Sequence, residues 1–169
     1  MSTDLVRVAV LADTHLRAGA DGLPPPVLEI LDAVDVILHA GDVVSPQLLE
    51  ELAAIAPTHA VLGNNDHDLV GALPDRLELD LGGVRTAMVH DSGSRTGRAN
   101  RLKRWFPDAQ LVVFGHSHDP QCDDDGDLLL FNPGSPTQRR RQPVHTVGWL
   151  ELDAGRILTA EVIPVGPLV

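Results

Sequence analysis

Leu5-Val6-Arg7-Val8-Ala9-Val10-Leu11-Ala12-Asp13-Thr14-His15 decides the class of the fold. Leu5 to Leu11 is short and rich in Val and Leu, the signature of a strand buried on both faces, and the polar residues begin where the apolar run stops. The pattern recurs down the chain. Asp35 to Ala40 ends in Gly41-Asp42, Thr58 to Leu62 ends in Gly63-Asn64-Asn65-Asp66, and Leu111 to Phe114 ends in Gly115-His116-Ser117-His118. Helices separate the first three strands. A loop, Gly19 to Pro26, leads into a helix over Val27 to Ala33, and Ser45-Pro46 supplies an N-cap and a first-turn proline for Gln47 to Ile55, which Pro57 ends. Strand and helix in alternation predict a parallel sheet with right-handed crossovers.

The style then changes. Gly82-Gly83 between Arg76 to Leu81 and Val84 to His90 is a two-residue hairpin signal, so this pair is antiparallel and the sheet mixed. A short basic helix is expected over Ala99 to Phe106. From Cys122 onward the pattern reads as hairpins: an acidic turn at Asp123 to Gly126, a strand at Asp127 to Phe131, another at Val144 to Leu152, a turn at Asp153-Ala154-Gly155, and a last strand at Arg156 to Ile163. The class is α/β.

Composition excludes several kinds of protein. A chain of 169 residues suggests one domain, spanning 1–169, and 43% apolar against 22% charged residues is ordinary for a packed globule. No apolar run approaches the roughly 18 residues of a membrane span. The N-terminus lacks the basic, apolar and small-residue regions of a secretory signal, and Cys122 stands alone, so a reducing, cytoplasmic location is expected. A net charge of −11 disfavours an extended nucleic-acid partner. Eight of thirteen positive charges nevertheless lie in two segments, Arg95 to Arg104 and Arg139 to Arg141, which leaves a local anion site open.

The clusters after the strands, with His90 at the end of a fifth strand, contain Asp13, His15, Asp42, Asn64, His90, His116 and His118. In open α/β sheets ligand sites form outside the carboxyl ends of strands, so these residues can converge although they span a hundred positions. All offer oxygen or imidazole and none a thiolate, a set suited to Mn, Fe, Ni, Co or Zn. Seven donors exceed one tetrahedral ion. With one bridging carboxylate they supply four ligands to each of two.

The ordered set Asp13-x-His15, Gly41-Asp42, Gly63-Asn64, His90 and Gly115-His116-x-His118 resembles the calcineurin-like metallophosphoesterase superfamily. The short length and the Asn132-Pro133-Gly134-Ser135 segment followed by Arg139 and Arg140 resemble its small YfcE-type phosphodiesterases. The resemblance runs from about Leu5 to Arg141. It implies two packed mixed β-sheets flanked by helices, a four-layer α-β-β-α sandwich. It further implies that Asp13, His15 and His118 bind one divalent ion, that Asn64, His90 and His116 bind the other, and that Asp42 bridges them. The reaction it implies is hydrolysis of a P–O bond by a metal-bridging hydroxide, on a small phosphodiester or nucleotide-type substrate, with manganese as the first choice of metal. Arg139 or Arg140 would hold a phosphoryl oxygen. Many superfamily members carry histidine immediately after the motif asparagine, where this chain has Asn65. Asn65 is then a substrate contact that cannot donate a proton at neutral pH, and His67 is the substitute acid. A non-catalytic interaction scaffold on the same fold, like the related retromer subunit, is the alternative. Homo-oligomerisation stays open.

Other polar residues have plainer readings. His39 is expected to be a satisfied buried histidine, with a role behind the ligands as the alternative. Arg95 to Arg104 reads as the solvated face of a helix, with phosphate recognition as the alternative, and Asp123 to Gly126 as a turn without the later ligands of a calcium loop. His59 and His145 carry no pattern.

Overall fold

The computed structural model describes residues 5–166. Two five-stranded mixed sheets pack face to face. The first has the order β10-β9-β1-β2-β3, from β1 (Val6–Leu11), β2 (Val36–His39), β3 (Thr58–Ala60), β9 (Thr146–Asp153) and β10 (Arg156–Pro164). The second has the order β4-β5-β6-β8-β7, from β4 (Arg76–Leu81), β5 (Val84–Val89), β6 (Leu111–Val113), β7 (Gln121–Asp124) and β8 (Leu129–Asn132). Helices α1 (Pro25–Leu31) and α2 (Pro46–Ile55) cover the outer face of the first sheet, and α3 (Arg98–Trp105) covers that of the second. This is the four-layer arrangement that the family resemblance implies.

Two-residue periodicity builds the layers. In β1, Val8 and Val10 face the inter-sheet core with Leu38, Met88, Val113 and Phe131, while Ala9 and Leu11 face Val27, Leu31 and Leu52 on the helices. Because both faces are covered, the strand is a continuous apolar run. The β1, β2 and β3 ladders are parallel, and Gly82-Gly83 closes the antiparallel β4–β5 hairpin.

The C-terminal reading needs two corrections. β8 and β9 do not form a hairpin, because β8 lies beside β6 in the second sheet and β9 beside β1 in the first. Residues 133–145 carry the chain between sheets, and their side chains bind the loop after β1, as described below. The acidic run is also not all turn. Asp123 and Asp124 belong to β7, at the edge of its sheet, where outward carboxylates suit an edge strand, and the turn follows at Asp125 to Asp127.

Parallel pairing decides where the polar clusters go. β1, β2 and β6 all end in one direction, and the loops after them approach each other across the tops of both sheets. The Asp13 and His15 amides donate to the Gly41 and Asp42 carbonyls at 2.9 and 3.0 Å, and the Gly115 amide donates to His90 across the second sheet.

Candidate metal centre

The chain is unusually contorted where these loops meet. Asp13, His15, Asp42, His116 and His118 all have left-handed backbone conformations, with φ from 47° to 72°. Such conformations are uncommon outside glycine and persist only where surrounding structure holds them. Here they turn successive side chains inward from strand ends. The motif glycines provide the room. A Cβ at Gly41 would lie 2.6 Å from Nδ1 of His90, and one at Gly63 would overlap the Asp42 backbone and carboxylate.

Five of the seven expected ligands meet around Asp13 and Asp42. Oδ1 of Asp13 lies 3.5 Å from Nε2 of His118, 3.8 Å from that of His90 and 3.9 Å from that of His15. Oδ2 of Asp42 lies 3.4 Å from Nε2 of both His15 and His90. Oδ1 of Asn64 is 2.9 Å from Nε2 of His90 and 3.1 Å from Nδ1 of His116, which extends the cluster to the sixth and seventh. Asn64 and His116 are exposed, so the cluster opens to solvent on their side.

The fit to a cation rests on orphaned atoms. Among the described residues, Oδ1 of Asp13 and Nε2 of His15 and His118 are buried without a hydrogen-bond partner. Leaving three such atoms unpaired costs several kcal/mol in total unless something charged satisfies them. Two groups about 2.1 Å from one cation at tetrahedral angles lie about 3.4 Å apart, close to the spacings found here. The sets Asp13, His15, His118 and Asp13, Asp42, His90 both converge tightly enough to hold an ion.

Surrounding groups fix which ring nitrogen faces inward. Nδ1 of His90 bonds the Ala40 carbonyl at 2.7 Å, and Nδ1 of His118 bonds that of Gln138 at 2.5 Å, so Nε2 of each ring is turned to the centre. Burial lowers the pKa of His15 and His118 against the pull of Asp42 and the Gln138 carbonyl respectively, which favours the neutral, ligating imidazole. Burial pushes the Asp13 carboxyl up to about 7, with His90 opposing. Burial acts on Asp42 in the same sense, but hydrogen bonds from His90 and Asn65 outweigh it and hold that carboxyl well below its ordinary range. His90 is raised, because Asp42 and Asp13 outweigh its desolvation.

The expected substrate residues separate. Asn65 turns its amide to Asp42, with Nδ2 at 2.8 Å from Oδ2 and the backbone amide at 2.8 Å from Oδ1. Nη1 of Arg139 donates to the Gln142 carbonyl at 2.6 Å, within its own turn. Arg140 is exposed, and its charge is felt at Asp13, His15 and His118. His67 starts a short 3-10 turn (His67–Leu69) and lines a hollow beside Asn64 and His90.

The reading of Arg95 to Arg104 as a solvated face is corrected. Arg101 donates to the carbonyls of Ser92, Ser94 and Thr96, and Arg98 to Gln121 and Gly93 while stacking over Phe114 at 4.9 Å. The loop before α3 exposes carbonyls that these guanidiniums satisfy.

Several residues brace the ligand loops, and of these Asp66 and Thr137 were missed in the sequence. The Asp66 carboxylate accepts from the amides of Asp42, Val44 and Gly63 at 2.9, 2.6 and 2.7 Å. Ser135 and Thr137, on the crossing between sheets, donate to the carbonyls of Asp13 and Thr14. His39 is buried, as expected, and its Nδ1 accepts from the Gly41 amide. Its Nε2–H therefore donates to Thr14 Oγ1 at 3.0 Å and links the first two ligand loops. Each bracing residue stands at or just beyond a strand end, the only signal that could have found it.

Residues 6–155 match the family described as the calcineurin-like phosphoesterase superfamily domain. A probable metallophosphoesterase of Methanothermobacter thermautotrophicus is 33% identical over 161 residues, covering 94% of this chain and 92% of the relative. Among solved structures, a conserved predicted phosphoesterase of Streptococcus pneumoniae superposes with TM-score 0.72 at 24% identity, covering 96% of this chain and 94% of that one. Vacuolar protein sorting 29 of Cryptosporidium parvum superposes at 0.71 with 19% identity, covering 95% and 98%. At such identities the structural likeness speaks for the fold alone. With a family match over most of its length and a relative one-third identical across nearly all of it, this chain belongs to the calcineurin-like phosphoesterase superfamily.

Proposed function

We propose that the chain is a metal-dependent phosphodiesterase, acting as one domain, whose centre holds two divalent ions, manganese first and Fe, Ni, Co or Zn as alternatives. The observation that carries this reading is the set of buried, unpaired acceptors on Asp13, His15 and His118, facing Asp42 and His90. When bound, two such ions supply Lewis acidity to the phosphoryl oxygens and lower the pKa of water between them. Asp13, His15 and His118 would hold one ion, Asn64, His90 and His116 the other, with Asp42 shared.

The protein's own groups then have distinct tasks. Asn65 orients the Asp42 carboxylate. Arg140, whose charge acts on Asp13, would hold a phosphoryl oxygen, while Arg139 holds its turn. Asn65 occupies the position of a proton donor and cannot serve as one, so protonation of the leaving group falls to His67 or to solvent. Aryl diesters therefore turn over faster than alkyl ones, and a rate independent of leaving-group pKa would contradict this. The substrate is a small phosphodiester or nucleotide-type molecule, since a net charge of −11 opposes an extended nucleic acid.

Elemental analysis of protein purified without chelator tests the reading, together with hydrolysis of bis(p-nitrophenyl) phosphate before and after stripping and return of Mn²⁺. About two ions per chain and restored turnover are expected. Less than one ion and no metal-dependent hydrolysis would replace it with the scaffold reading, which shares the fold and needs no ligand set.

A further inference from the structure

A hollow of about 380 Å³ opens beside the centre, within the roughly 300–1,000 Å³ range of small-molecule sites. Asn64 and His90 form part of its wall, so it is continuous with the cluster described above. Leu62, Val70 and Val89 give it an apolar lining. Val70 is 71% exposed, more than the other exposed large hydrophobics, Leu28 at 39% and Leu158 at 50%. Its position is fixed: Leu69 and Asp66 accept the backbone bonds of the 66–73 turn, and the Leu62 amide bonds the Pro74 carbonyl. The side chain is thus presented to the hollow by a braced turn.

The rim is acidic. Asp75 and Asp91 are exposed there, whereas Asp66 spends its carboxylate on three backbone amides. Asp91 is held by its own turn, with Oδ1 accepting from Gly93 at 2.8 Å, and its Oδ2 lies 4.0 Å from Nε2 of His116. An apolar lining at the centre favours a flat organic group, and two carboxylates at the mouth disfavour a second anion.

We propose that this hollow seats one ester arm of the phosphodiester, and that the arm is a ring-bearing group without negative charge, such as a nucleoside, rather than a phosphorylated one. The inference rests on the phosphodiesterase reading and narrows its substrate class. Val70 would supply the contact and Asp75 the charge selection.

Competition against bis(p-nitrophenyl) phosphate in the Mn²⁺-loaded protein tests it, using alkyl diesters whose poor leaving groups make them inhibitors. Thymidine 5′-(methyl phosphate) is expected to bind at least about tenfold more tightly than dimethyl phosphate. In Val70→Asn, which removes the apolar contact without adding charge, that ratio should fall to within about threefold; Val70→Ala should give an intermediate ratio. Adding a 3′-phosphate to the thymidine inhibitor should weaken it, and Asp75→Asn should recover at least about threefold. Equal binding of the two inhibitors by the wild type, or an unchanged ratio in Val70→Asn, overturns the inference while the phosphodiesterase reading stands. Absence of metal-dependent hydrolysis in the wild type overturns both.

Discussion

Two parts of this molecule are dense in charged and polar side chains, and they differ in what those side chains have left over. In the basic segment before and within α3, Arg101 is consumed by carbonyls of its own loop, and Arg98 is shared between Gly93, Gln121 and the face of Phe114, with a single buried nitrogen, Nε of Arg98, left without a partner among the described residues. At the strand ends, Asp13, His15 and His118 each keep a buried polar atom without a partner, on backbone held in left-handed conformations. The first region uses charge to finish a loop. The second holds converging polar atoms at a spacing that fits a cation. Charge density alone therefore does not mark the site, whereas several unsatisfied buried atoms converging on strained backbone do.

The largest effects that would break this contrast come from the centre. Asp42→Ala or His116→Ala should lower kcat/KM for an aryl diester on the order of a thousandfold, since removing a ligand removes several kcal/mol of charge stabilisation. His116 is exposed, so His116→Ala should leave the melting temperature of chelated protein nearly unchanged. An equal loss of activity in Arg101→Ala would erase the distinction between the regions.

Next comes the brace under the centre. Asp66→Asn removes a charged acceptor from three backbone amides and should cost about 2–4 kcal/mol in urea melts. It should also weaken metal binding roughly 10- to 100-fold in a titration.

Acidity sharpens the contrast further. Burial raises the Asp13 carboxyl from 3.8 to about 7, so a proton competes with the cation there, and metal affinity should fall by up to about tenfold per pH unit below 7. The sign reverses for metal-free protein. A folded-state pKa above the unfolded one gives stability that is present in full below about 4 and is lost as pH rises through about 7. Urea midpoints in chelator should therefore favour pH 5 over pH 8 more in the wild type than in Asp13→Asn.

The smallest effect belongs to the basic segment. Arg101→Ala should destabilise by about 1–2 kcal/mol through its lost hydrogen bonds, with kcat/KM within about twofold of wild type.

Much of the fold was legible because burial writes itself into local pattern. The apolar runs at Leu5 to Leu11 and Leu111 to Phe114 are strands covered on both faces, and Gly82-Gly83 is a hairpin whose geometry two residues specify. The crossing of 133–145 was not legible. Val144 to Leu152 is as good a hairpin partner by local pattern as a strand of the other sheet, and only the pairing of β9 with β1 separates the two.

The sequence by itself determined the candidate ligand types, their order and their placement just beyond strand ends, since those follow from side-chain chemistry and from where an apolar run stops. Tertiary structure alone decided which polar residues face the centre. Asn65 turned to Asp42, Arg139 to its own turn and Arg101 to loop carbonyls, while Asp66 and His39 became braces for the ligand loops. The physical reason is that a hydrogen bond is settled by which acceptor lies within about 3 Å, and that distance is fixed by the packing of strands far apart in the chain.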